Sequence, residues 1–153
     1  VEAARDVVLR RLDRSTAPRA ALAELLERKE VDSRVAAEVL DRLEVAGVVD
    51  DAAYAARLAR TRFAEKRAAR RAIADELRRK GLKERDVAAA LDQIDSDDED
   101  TAALALARKK LVATRLLPLE VRRRRTAAML GRKGYSQEVT MRAIEDALEQ
   151  LPE

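Results

Sequence analysis

The sequence predicts an all-α fold of three tandem three-helix repeats forming an elongated, curved array. Three observations predict it. The first is composition: Ala, Leu, Arg and Glu dominate a chain of 153 residues, and four Gly and three Pro leave little material for hairpins. The second is an internal repeat. Leu26-Glu27-Arg28-Lys29-Glu30-Val31, Leu77-Arg78-Arg79-Lys80-Gly81-Leu82 and Leu130-Gly131-Arg132-Lys133-Gly134-Tyr135 share one pattern, Leu-x-x-Lys, then Gly or Glu, then an apolar residue, spaced by 51 and 53 residues. The third is the apolar spacing downstream of each copy. Val35, Leu40 and Leu43 come after the first, Val87, Leu91 and Ile94 after the second, and Val139, Ile144 and Leu148 after the third, at helical spacing.

Local signals set each element in turn. The first repeat, 1–49, holds helices over 2–13, 18–29 and 33–46, with Pro18 near a helix start and Ser33 as an N-cap. The second, 50–96, holds helices over 51–64, 68–80 and 84–94. Gly47 ends the preceding helix, Asp50 caps the next and Asp51 sits in its first turn, where the helix dipole favours a carboxylate. Tyr54 and Leu58 share a face of that helix and, with Phe63 further on, are expected to be buried. The third repeat, 97–153, holds helices over 99–114, 119–132 and 136–150, with Pro118 and Ser136 at helix starts. Gly81 and Gly134 fall where the preceding helix stops, at the left-handed position Gly tolerates best. Glu30 in the corresponding place is expected to loosen the first of these turns.

Composition also excludes function classes. With no Cys and no His, disulfides, Cys or His zinc sites and Ser–His or Cys–His nucleophilic pairs are impossible. No GxxxxGK[ST] or GxGxxG phosphate loop occurs, so no enzyme and no cofactor are expected. No apolar run reaches membrane-span length and no signal peptide is visible. A cytoplasmic protein is expected, and a start at Val1 rather than Met fits a processed or trimmed chain.

The net charge of +3 conceals strong segregation. Residues 60–85 carry 11 basic and 4 acidic residues, 86–107 carry 7 acidic and no basic ones, and 108–133 carry 10 basic residues and one acid. On a helical wheel Arg67, Arg71 and Arg78 fall within about 40° of one another with Arg70 nearby, opposite Ala69, Ile73 and Leu77. Arg122, Arg123, Arg124 and Arg125 cover a whole turn, so one of them must lie at the core boundary and snorkel. Guanidinium clusters suit phosphates and carboxylates. The plainer reading is a solvated face on an Arg-rich chain, just as Asp50 and Asp51 read first as caps, Tyr54 as core, and Asp95, Asp97, Asp98, Glu99 and Asp100 as a linker and cap. So few aromatics argue against a base-stacking platform.

Leu43-Glu44-Val45-Ala46-Gly47-Val48-Val49-Asp50-Asp51 followed by Tyr54-Ala55-Ala56-Arg57 resembles the Leu-x-x-x-Gly-(Tyr/Val/Ile)-(Ile/Val/Leu)-(Asp/Asn)-Asp-x-x-(Tyr/Phe)-Ala-x-x segment of the RecX family. In that family a basic helix and a Leu-x-x-Lys-Gly-(Ile/Leu/Val) turn come next, positions filled here by Arg67 to Arg71 and by Leu77 to Leu82. The resemblance extends over essentially the whole chain and is strongest over 43–94.

The resemblance implies a negative regulator of the RecA recombinase. Such a protein binds RecA filaments on single-stranded DNA in their groove and restrains filament growth, ATP hydrolysis, strand exchange and the SOS response. It implies a monomer with RecA as partner, direct DNA contact as an addition, and no membrane. The residues expected to meet RecA or DNA are Arg67, Arg70, Arg71, Arg78, Arg122, Arg123, Arg124 and Arg125. The competing reading is a helical protein that binds DNA directly without sequence preference, and a third is a scaffold for some other acidic protein.

Overall fold

The computed structural model describes residues 1–152, and among them there are nine helices and no strand. They are α1 (Glu2–Arg14), α2 (Arg19–Arg28), α3 (Ser33–Val45), α4 (Asp51–Lys66), α5 (Arg70–Arg79), α6 (Glu84–Leu91), α7 (Ser96–Ala113), α8 (Leu119–Arg132) and α9 (Gln137–Gln150).

The repeated turn has one backbone solution. After α5 the Leu82 N–H donates to the Leu77 carbonyl at 3.1 Å and the Gly81 N–H to the Arg78 carbonyl at 3.0 Å, the paired bonds of a Schellman turn. The same pair closes α2 (Val31 to Leu26, Glu30 to Glu27), α8 (Tyr135 to Leu130, Gly134 to Gly131) and α3 (Val48 to Leu43, Gly47 to Glu44). Gly47, Gly81 and Gly134 take φ of +77°, +85° and +96°. Glu30 takes φ +60° and the turn keeps both bonds, so the first turn is not loosened but strained. A fifth left-handed residue, Arg67 at φ +53°, ends α4 with no glycine to mark the place. For that reason α5 begins at Arg70, and Arg67 lies in a connection rather than on the basic helix where the wheel put it.

Helix starts follow local chemistry, with two shifts from expectation. Asp32, not Ser33, caps α3, accepting from the Arg34 N–H at 2.8 Å. Asp95 and Asp98 form a reciprocal capping box at 2.8 and 2.9 Å, which starts α7 at Ser96 and turns most of the supposed acidic linker into first-turn residues. Asp50 caps α4 through the Ala53 N–H at 3.0 Å, and Ser136 caps α9 through the Val139 N–H at 3.2 Å. Asp51 does more than oppose the dipole: it accepts from the Arg19 N–H at 2.8 Å and ties the start of α4 to the start of α2.

The backbone divides into two compact units. One takes Val1–Leu58 and Glu76–Ala90, the other Ala59–Asp75 and the chain from Leu91 onward. In the first, α1, α2 and α3 close over Val8, Leu22, Leu26, Val39 and Leu40. In the second, α7, α8 and α9 close over Leu111, Leu130, Tyr135 and Ile144, with Phe63 and Ala69 packed against them. Much of the deepest surface is methyl: Ala55, Ala59, Ala69, Ala90, Ala103, Ala107 and Ala147 are at most 1% exposed. On α4 the buried positions are Ala55 and Ala59, whereas Tyr54, Leu58 and Phe63 are half-buried.

Candidate functional site

In the second unit the α8–α9 turn grips the α4–α5 connection. The Lys133 carbonyl accepts from the Ala69 N–H at 2.8 Å, the Lys133 ammonium donates to the Lys66 carbonyl at 2.6 Å, and the Tyr135 hydroxyl donates to the Arg67 carbonyl at 2.7 Å. Gly134 makes the approach possible, since a Cβ there would stand 2.7 Å from the Ala72 Cβ and 3.0 Å from the Ala72 nitrogen. Burial, with Glu99 adding and Arg67 opposing, pushes the Tyr135 phenol up to about 12, so it remains a donor across the physiological range.

This grip fixes a cationic groove. Lys66 and Arg67 form one wall, Lys109 and Lys110 of α7 another, and Lys133 of the α8–α9 turn a third side, in an open cleft of about 560 Å³ with Glu65 as the one acid in the lining. The Arg67 guanidinium lies 5.7 Å from the Phe63 ring centroid, which orients it without neutralising it. Among the described residues none of these five cations is paired with a carboxylate.

The eight predicted arginines separate into three groups. Arg71, Arg124 and Arg125 are exposed and have no carboxylate partner among the described residues. Arg67 and Arg70 flank the gripped connection; the Arg70 N–H donates to Glu99 at 3.3 Å, while its Nε is buried without a partner. The remaining three are engaged internally. Arg78 grips Glu84 at 2.7 and 3.1 Å and holds its carboxyl below the usual range. Arg123 does the same to Glu145. Arg122 is the snorkelling residue at the core boundary, donating to the Leu111 carbonyl at 2.7 Å. Sequence reasoning counted Lys66, Lys109, Lys110 and Lys133 only within the two basic segments and did not bring them together, because tertiary packing alone assembles the groove. No group of His, Cys, Asp or Glu among the described residues could hold a metal ion, and no helix among them is long and apolar enough to cross a membrane.

Fold and surface together define an all-helical protein of three-helix domains that carries a cationic groove. Residues 50–91 match the model of the second RecX three-helix domain and 97–144 that of the third. The chain is 42% identical over 146 residues to the regulatory protein RecX of Thermobifida fusca, covering 95% of this chain and 79% of the relative. Against the regulatory protein RecX of Streptomyces coelicolor it is 41% identical over 150 residues, covering 98% and 80%. The crystal structure of RecX from Lactobacillus salivarius superposes with a TM-score of 0.87 at 17% identity, over 97% of this chain and 96% of that one, a likeness of fold. The chain belongs to the RecX family.

Proposed function

We propose that the chain is a negative regulator of the RecA recombinase. It binds as a monomer in the groove of RecA filaments on single-stranded DNA and hinders filament growth, ATP hydrolysis and strand exchange, restraining recombinational repair and the SOS response. Acting there places it in the cytoplasm, and the mechanism is steric and electrostatic, with no reaction of its own. Two relatives named as regulatory proteins support the reading. The observation that carries it is the set of cations left without internal carboxylates, which fits a DNA-coated protein filament offering both carboxylates and phosphates. Arg71, Arg124 and Arg125 are free to reach such a partner. Arg67 and Arg70 present their charge at the gripped connection, whereas Arg78, Arg122 and Arg123 must leave internal partners to take part.

RecA ATP hydrolysis on single-stranded DNA, titrated with this protein at moderate salt, tests the reading. Inhibition well below one protein per RecA is expected, and joint reversal of Arg67, Arg70 and Arg71 to Glu should weaken it with folding intact. Direct DNA binding is favoured as a second reading by the exposure of the unpaired Arg124 and Arg125. It becomes the first reading if RecA is unaffected while bare DNA binds tightly with a steep salt dependence.

A further inference from the structure

The cationic groove has a floor that phosphate recognition does not require. Ala105, Leu106, Ala113 and Met129 line it beside the ammonium groups. On α7 the pattern is regular: Ala105, Lys109 and Ala113 succeed one another at four-residue steps, as do Leu106 and Lys110, so one helix face alternates methyl surface and charge. Met129 near the end of α8 and Lys133 just after it are spaced by the same four residues. We propose that this groove is a docking site for an acidic, amphipathic peptide segment of a protein partner, whose apolar side chains lie on the floor while its carboxylates meet the lysines. The inference rests on the regulatory reading only for which protein carries the segment.

Two features favour a peptide over a nucleic-acid strand. The volume falls within the range of built ligand pockets and admits aliphatic side chains. A phosphodiester strand needs only the rim, and no aromatic ring is free for base stacking: Phe63 is half-buried under Arg67, and Tyr135 is buried with its hydroxyl committed. The groove is also held open in advance. The three hydrogen bonds with the α8–α9 turn fix the backbone of the Lys66–Arg67 wall before any partner binds. The arrangement fits the mode in which an amphipathic helix lays its apolar side into a groove and its charged flanks on the rim.

Ala105→Trp separates the alternatives. It fills the floor from an exposed helix position and leaves every cation in place, with helix content checked by circular dichroism. The probes are a labelled synthetic helix with Glu and Asp on one face and Leu on the other, a polyglutamate of equal length, and an oligothymidylate. The amphipathic helix should bind more tightly than polyglutamate. Ala105→Trp should weaken it about tenfold and leave the oligothymidylate unchanged, while Lys109→Glu with Lys110→Glu should weaken the helix by at least that much. The proposal is overturned if Ala105→Trp does not affect the helix, or if the oligothymidylate displaces the helix and is itself weakened by Ala105→Trp, which would make the groove a nucleic-acid site. RecA ATP hydrolysis measured in parallel keeps the two readings apart. Peptide binding without effect on RecA leaves the groove standing and removes the regulatory reading. Peptide binding weakened by Ala105→Trp together with equal inhibition of RecA by the wild type and the variant leaves both standing and assigns the docked segment to a protein other than RecA.

Discussion

Gly134→Ala should destabilise the protein by about 2 to 4 kcal/mol, through two effects of comparable size. At φ +96° an alanine is strained by about 1 to 2 kcal/mol. Its Cβ would also stand 2.7 Å from the Ala72 Cβ, 3.0 Å from the Ala72 nitrogen and 3.3 Å from the Ala72 Cα. Two of those atoms are backbone of α5, so relief requires moving a helix, at about 1 to 3 kcal/mol. Reduced entropy of the unfolded chain returns about 0.4 to 1 kcal/mol. Two other glycines provide internal controls. Gly47 has φ +77°, and a Cβ there would have nothing within 4 Å, so Gly47→Ala carries strain alone, about 1 kcal/mol. Gly131 lies inside α8 with open space around it, so Gly131→Ala should stabilise by about 0.5 kcal/mol. Urea unfolding midpoints of the three variants give the order directly. If Gly134→Ala and Gly47→Ala lose the same stability, close approach to α5 is not what demands glycine at 134, and the account of the grip is wrong.

Glu30→Gly should stabilise by about 0.5 to 1 kcal/mol, because the left-handed strain removed exceeds the entropy cost of glycine; thermal unfolding checks it. The Tyr135 phenol is raised in the folded state from the ordinary 10 to about 12, so its contribution is complete below pH 10 and lost as pH rises through 12, by about 2 to 3 kcal/mol. Denaturant unfolding across that window in a Tyr54→Phe background should show the loss. Its persistence after Tyr135→Phe would assign it elsewhere. Asp95→Ala should cost about 1 kcal/mol and fray the first turn of α7, seen as faster amide exchange over Ser96–Asp98.

Helix order and the repeated turn were legible in the sequence because they are local. A Leu four residues before a Gly, with an apolar residue after it, contains every group of a Schellman turn, and Leu43-Gly47-Val48 is a further copy of the same signal. A break between 64 and 68 was expected, but not the left-handed Arg67 that makes it: no glycine marks the place, and the groups that stabilise it, Tyr135 and Lys133, lie far along the chain. The half-burial of Tyr54 and Leu58 escaped for another reason. Size-weighted periodicity favours the larger side chains, while the fully buried positions are Ala55 and Ala59. Charge placement was legible only as segregation. Nothing in the spacing of Arg78 and Glu84, or of Arg123 and Glu145, announces those pairs, so the difference between engaged and free arginines came entirely from tertiary structure.

The alanine-lined interior reverses the usual mutational asymmetry. In a core of leucines and isoleucines, harm comes from truncation, which leaves cavities. At Ala55, Ala59, Ala103, Ala107 and Ala147 there is almost nothing to truncate, and the exposed area is zero. Harm there comes from growth. Each added methyl must displace a neighbouring helix, so substitutions usually counted as conservative, Ala to Val or Ala to Leu, become the damaging class. Tolerance at these positions is therefore governed by the room around each methyl rather than by how hydrophobic the substituent is.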